Sequence, residues 1–135
     1  IKEEKFLLIR GMPGNDETIP AFENITVYNH LDTADMQEAI AQSGFIISRC
    51  GYTTVMEMLS LKKKTILIPT PGQTEQEYLA SYLMHQQWAF CCTQNDDLEV
   101  QYSLAKEFNY QLSSFNHIQM EKIIEERIAK LLSRN

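Results

Sequence analysis

Short, continuously apolar runs alternate with helix-spaced apolar patterns along this chain, and that alternation restricts its fold more than any other feature. Phe6-Leu7-Leu8-Ile9, residues 25–29, Phe45-Ile46-Ile47-Ser48, residues 65–68 and residues 89–93 read as strands. A run apolar at successive positions, rather than every second one, suits a strand buried on both faces. Between them, residues 35–42, 53–61 and 74–87 read as helices. Val55, Met58 and Leu59 share one stripe of the second, and Tyr78, Leu79, Tyr82 and Leu83 turn inward on the third. Two more helices follow at 98–109 and 117–133; in the last, Met120, Ile123, Ile124, Ile128, Leu131 and Leu132 recur at helical spacing. Buried strands alternating with helices predict an α/β fold, with a Rossmann-like, mostly parallel sheet of about five strands flanked by helices.

The chain has 135 residues, 44% of them hydrophobic and 10% aromatic, which suits one domain spanning 1–135 and argues against disorder. Its apolar runs fall far short of the ~18 residues of a membrane-crossing helix. A net charge of −6 disfavours nucleic-acid partners, because such a surface repels a phosphate backbone. Cys50, Cys91 and Cys92 form an odd set without a CxxC pair, so free thiols in a cytoplasmic protein are expected. The chain opens at Ile1 without an initiator Met, as an excerpt or a processed product would.

Right-handed crossovers align the C-terminal ends of parallel strands along one edge, where ligands of such folds bind. Gly11 to Gly14, His30-Leu31-Asp32, Arg49 to Thr54 and Thr70 to Gln76 all follow strands and share that edge. Lys62-Lys63-Lys64 precedes a strand at the opposite edge, and reads as cations complementing a helix C-terminus.

Two motifs on the ligand edge carry chemistry. In Ser48-Arg49-Cys50-Gly51-Tyr52-Thr53-Thr54-Val55-Met56-Glu57, a strand ends, Gly51 permits a turn and a helix begins near Thr54. Free N–H groups at that start suit a diphosphate without any lysine, and Glu57, one turn in, suits a ribose diol. Spacing leaves a second reading open: Thr54-x-x-Glu57 is also a capping box, in which Glu57 merely reaches back to the cap. In Pro69-Thr70-Pro71-Gly72-Gln73-Thr74-Glu75-Gln76-Glu77-Tyr78, a rigid turn feeds a helix whose Gln73 and Gln76 amides suit sugar hydroxyls. Thr74-x-x-Glu77 is again a capping box.

The remaining candidates point to structure. His30 and His85 lack partners at metal spacing, and no HExxH occurs, so no metal is expected. Cys50, Cys91, Cys92 and Trp88 read as packing residues, and Gly11-Met12-Pro13-Gly14 lacks the GxGxxG spacing of a dinucleotide site.

Ser48 through Glu57, followed by Ile66-Leu67-Ile68-Pro69 through Gln76-Glu77-Tyr78, resembles the C-terminal domain of family 28 glycosyltransferases over roughly residues 6–93. The resemblance implies the nucleotide-sugar-binding half of a two-domain GT-B fold. By position, it implies Glu57 on the ribose hydroxyls and Gly51, Tyr52, Thr53 and Thr54 facing the diphosphate and sugar. It further implies Gln76 on the sugar hydroxyls, the Leu31 backbone on the uracil edge and Arg49 in a positioning role. Glu77 stands where such proteins often carry a second glutamine, and Cys50 where a serine is common. The family's opening strand with its Gly-Gly-Ser phosphate loop has no match here, so a partial donor domain is expected.

The function implied is donor binding in an inverting, UDP-sugar-dependent glycosyltransferase, without a metal or other cofactor. The acceptor domain would be a missing N-terminal domain or a partner chain, in the cytoplasm or peripheral at a membrane. Two alternatives stand beside it: a nucleotide-sugar epimerase-like enzyme, and a non-catalytic subunit or interaction module of the same fold.

Overall fold

The first apolar run forms strand β1, Phe6–Ile9, which pairs in parallel with β2, Ile25–Tyr28, Phe6 opposite Ile25 and Ile9 opposite Tyr28. These coordinates are a computed structural model that describes residues 3–15, 17 and 23–134. The chain divides into two compact units, Ile1–Ser43 and Gly44–Asn135. In the first, helix α1, Thr33–Gln42, follows the strand pair. It starts earlier than its apolar spacing suggests, because Asp32 caps it by accepting the Asp35 backbone N–H at 2.8 Å. None of the described residues of this unit is fully buried.

The second unit holds β3, Phe45–Arg49, β4, Lys64–Ile68, and the two-residue β5, Phe90–Cys91, all parallel in the order β3-β4-β5. Among the described residues five parallel strands thus form as expected, divided between a two-stranded and a three-stranded sheet. The helices are α2, Tyr52–Ser60, α3, Thr74–His85, α4, Leu98–Glu107, and α5, His117–Leu132, with a 3₁₀ turn at Leu112–Ser114.

Central strand β4 buries Thr65, Ile66 and Leu67, and alternate side chains leave a strand on opposite faces. Leu67 joins Val55, Leu59, Leu79, Leu83 and Met120 in a core built from α2, α3 and α5. Ile66 joins Phe90, Cys92, Tyr102 and Ala105 in a second core under α4. Trp88 packs as expected: it is buried, meets Tyr82 and Phe115 edge-on, and donates Nε1–H to Ser114 Oγ at 3.0 Å.

Helices α2 and α3 end alike. Lys62 N–H reaches Leu59 O and Lys63 N–H reaches Met58 O; Gln87 and Trp88 repeat the pattern on Met84 and Leu83. This is the Schellman closure, with Lys62 (φ 54°) and Gln87 (φ 60°) in the left-handed position that usually holds glycine. Lys62 and Lys63 directly follow the Leu61 C-cap, at the C-terminal end of α2, whose last helical turn itself carries no cation. Lys64 instead opens β4, its ammonium 5.8 Å from the Phe45 and Tyr110 ring centroids.

Candidate functional site

Arg49 pairs with Ile68 in the parallel β3–β4 ladder, so both strands end at the same level and the starts of α2 and α3 lie along one sheet edge. The Arg49 guanidinium spans that edge, reaching the Ile68 and Pro69 carbonyls at 3.5 Å and Gln94 Oε1 at 3.3 Å.

The α2 start is bare. Its N-cap is Gly51, which supplies no side-chain cap, and the first turn closes with Val55 N–H on Gly51 O at 3.0 Å. The amides of Tyr52, Thr53 and Thr54 have no acceptor among the described residues. Three unpaired N–H groups at the positive end of a helix favour an anion. Gly51 itself has φ −75°, ordinary extended backbone, and a Cβ placed there would meet nothing within 4 Å. The turn therefore does not require a glycine at this position.

The capping box read at Thr54-x-x-Glu57 does not form. The helix begins at Tyr52, so Thr54 is already its third residue and its N–H lies inside the first turn rather than at the cap. Glu57 is exposed, and its carboxylate has no partner among the described residues.

The α3 start is laced instead. Thr70 to Gln73 form a turn closed by Gln73 N–H on Thr70 O at 3.1 Å, with Pro71 and Gly72 (φ 81°) at its corners. This is a type II turn, whose third residue needs positive φ, so Gly72 has a backbone reason to be glycine. Gln76 Oε1 accepts the Thr70 N–H at 2.9 Å, which fixes the amide's orientation and aims its NH₂ at Gln73 Oε1, 2.9 Å away. Glu77 reaches back past the cap and accepts the Gly72 N–H at 3.2 Å. Thr74 is the first helical residue with Gln73 as N-cap, so the capping box expected at Thr74 is absent too. Ten sequence-singled residues, Arg49, Gly51 to Thr54, Glu57, Gly72, Gln73, Gln76 and Glu77, thus belong to the second unit's ligand edge. Leu31, half-buried beside the Asp32 cap, belongs to the first unit.

Cys50 sits under this edge, fully buried, and burial pushes its thiol up to about 12, which suits core packing and opposes nucleophilic use. Among the described residues, no group of three or more His, Cys, Asp or Glu side chains could hold a metal ion.

Sequence reasoning missed a groove of about 440 Å³ beside the two helix starts. Tyr52, Tyr78, Leu79, Ile124 and Ile128 give it an apolar lining, and the Arg127 guanidinium lies 4.7 Å from the Tyr78 ring. Burial, and after it the Glu121 and Glu125 carboxylates, raise the Tyr52 phenol above its ordinary range. The periodic residues of α5 were the available signal, but their spacing does not separate the exposed Ile128 and Leu132 from the buried Met120.

Over 85 residues the chain is 35% identical to a UDP-N-acetylglucosamine--N-acetylmuramyl-(pentapeptide) pyrophosphoryl-undecaprenol N-acetylglucosamine transferase of Sulfurihydrogenibium sp. (strain YO3AOP1), a match covering 62% of this chain and 23% of that protein. A protein of the same name from Clostridium perfringens (strain SM101 / Type A) is 30% identical over 69 residues, 51% of this chain and 19% of the relative. The chain thus matches about a fifth of the length of these relatives. No solved structure gives a significant match. The model of the glycosyltransferase family 28 C-terminal domain matches residues 2–132, through both helix starts and on to α5, and the chain belongs to that family.

Proposed function

We propose that this chain binds the donor of an inverting, UDP-sugar-dependent glycosyltransferase. The observation that carries the reading is Glu57: with no capping box formed, an exposed, unpartnered carboxylate remains on the helix whose uncapped start is suited to a diphosphate. The family and the names of the two relatives, both of which transfer N-acetylglucosamine from a UDP-linked donor, support it.

Glu57 would accept hydrogen bonds from the ribose hydroxyls, and the amides of Tyr52, Thr53 and Thr54 would face the diphosphate. The Leu31 backbone would read the uracil edge. Gln76, its carbonyl held by Thr70, keeps one amide hydrogen for a sugar oxygen, with Gln73 beside it. An acceptor hydroxyl then displaces the diphosphate directly at the anomeric carbon. The base that takes its proton lies outside this chain, on an acceptor domain or partner, and this chain alone transfers nothing. Negative charge building on the departing diphosphate is met by the helix start, with no metal or other cofactor in the scheme. The setting would be cytoplasmic or peripheral at a membrane.

Ligand-observed NMR with UDP, GDP and dTDP tests the reading. UDP should contact the chain selectively, and Glu57→Ala should abolish that contact while the Tm stays within a few degrees. UDP binding that survives in Glu57→Ala would sink the assignment of Glu57.

A further inference from the structure

We propose that the outer face of α5, together with the groove beside it, docks a basic amphipathic helix of a second polypeptide. Helix α5 carries two stripes. Met120, Ile123, Ile124, Arg127 and Leu131 are buried or half-buried and face its own unit. Ile118, Glu121, Glu125, Ile128 and Leu132 recur at alternating steps of three and four residues and are all exposed, Ile118 at 77% and Leu132 at 69%. That spacing sets the five on one solvent-facing stripe, apolar at Ile118, Ile128 and Leu132 and acidic at Glu121 and Glu125 between them. Single exposed apolar residues are ordinary, but this stripe continues into the groove, where Ile128, Tyr52 and Tyr78 line the floor and Glu75, Glu121 and Glu125 stand at its polar side.

Charge selects the occupant. Glu121 has a neighbour in His117, 3.3 Å away, while Glu125 has no partner among the described residues. A second copy of α5 laid antiparallel would set Glu125 against Glu125, and a parallel one would stack both glutamates on their equals. An anionic lipid surface meets the same carboxylates on a chain of net charge −6. A helix with apolar residues at heptad spacing and Lys or Arg opposite Glu121 and Glu125 satisfies both the floor and the carboxylates. This inference does not depend on the donor reading, since nucleotide contact is measured separately and Glu57 is left untouched.

The test is fluorescence anisotropy at 0.15 M salt with the full chain and two labelled helical peptides sharing one leucine heptad pattern. One carries Lys at the flanking positions and the other Glu. The Lys peptide should bind at least tenfold more tightly than the Glu peptide. The preference should vanish in Glu121→Lys/Glu125→Lys and persist in Glu99→Lys/Glu107→Lys, which changes the net charge equally on α4. Ile128→Asp, at an exposed position, should weaken Lys-peptide binding at least tenfold while the circular dichroism spectrum is unchanged. Equal binding of both peptides, binding of neither, or equal loss in the control pair overturns the proposal. So does self-association, or flotation with phosphatidylglycerol vesicles, that Ile128→Asp abolishes.

Discussion

Gly51 and Gly72 flank the two helix starts for different reasons, and substitution separates them. Gly72 holds φ 81° at a turn corner, so Gly72→Ala puts an L side chain in the left-handed region at a cost of about 1–2 kcal/mol, seen as a lower Tm. Gly51 has extended backbone and open space around it. Serine is a better N-cap than glycine by a few tenths of a kcal/mol, so Gly51→Ser should leave the Tm unchanged or slightly raised. Its hydroxyl would occupy the uncapped amides, however, and UDP affinity in a titration should fall about tenfold, the loss of one good hydrogen bond to a charged group. Unchanged UDP affinity would show that no ligand approaches there. Cys50 gives a pH signature. Its thiol titrates near 9 when exposed and at about 12 in the fold, so between those values the unfolded chain releases the proton first. Stability then falls as pH rises from 9 towards 12, by at most about 1.4 kcal/mol per pH unit, and the fall should be shallower in Cys50→Ala when denaturant midpoints are compared.

At the level of elements, the two Schellman closures show where backbone strain sits. Lys62→Gly relieves a left-handed L residue whose neighbours keep their hydrogen bonds, and should add about 0.5–1 kcal/mol of stability in denaturant melts. Gln87→Gly should gain less, because the Gln87 side chain also donates to Asn109 O at 3.3 Å. Every helix was legible from apolar spacing, and α3, α4 and α5 start where it places them, at Thr74, Leu98 and His117, while α1 and α2 start two and one residues earlier than it suggests. Thr54 and Thr74 open the same Ser/Thr-x-x-Glu pattern, and neither is a cap. Neither start carries a side-chain cap: α2 begins at Tyr52, three residues after the end of β3 at Arg49, and α3 follows the turn from Thr70 to Gln73 that Pro71 and Gly72 mark in the sequence. Likewise α5 was legible as a helix, yet its two stripes share the three-four spacing, and only packing decides which one is buried. The candidate site was therefore readable as a set of residue types, while the groove was not.

The five strands were legible as apolar runs, yet of these only β4 is buried on both faces, and Leu7 and Leu8 of β1 are exposed; their distribution between two sheets was not legible, since strand neighbours are chosen by contacts distant in sequence. That distribution has an energetic consequence. Every fully buried hydrophobic side chain among the described residues, from Cys50 to Met120, belongs to the second unit, and the first has none. Apolar burial contributes about 25 cal/mol per Å², so the second unit holds most of what resists unfolding. Local opening follows the same gradient: segments with little buried apolar surface open at free energies well below the global value. Backbone amides of Ile66 and Leu67 in β4 should exchange with deuterium only through global unfolding. Those of Leu8, Thr26 and Tyr28, which the β1–β2 ladder pairs, should be at least about 100-fold less protected, a difference of roughly 2.7 kcal/mol in opening free energy. If the donor reading holds, saturating UDP should raise protection at the α2 start, where the proposed diphosphate contacts lie, and leave the β1–β2 pair lower than β4 throughout. Uniform protection across both units without ligand would mean that the first is held as firmly as the second, despite its exposed side chains.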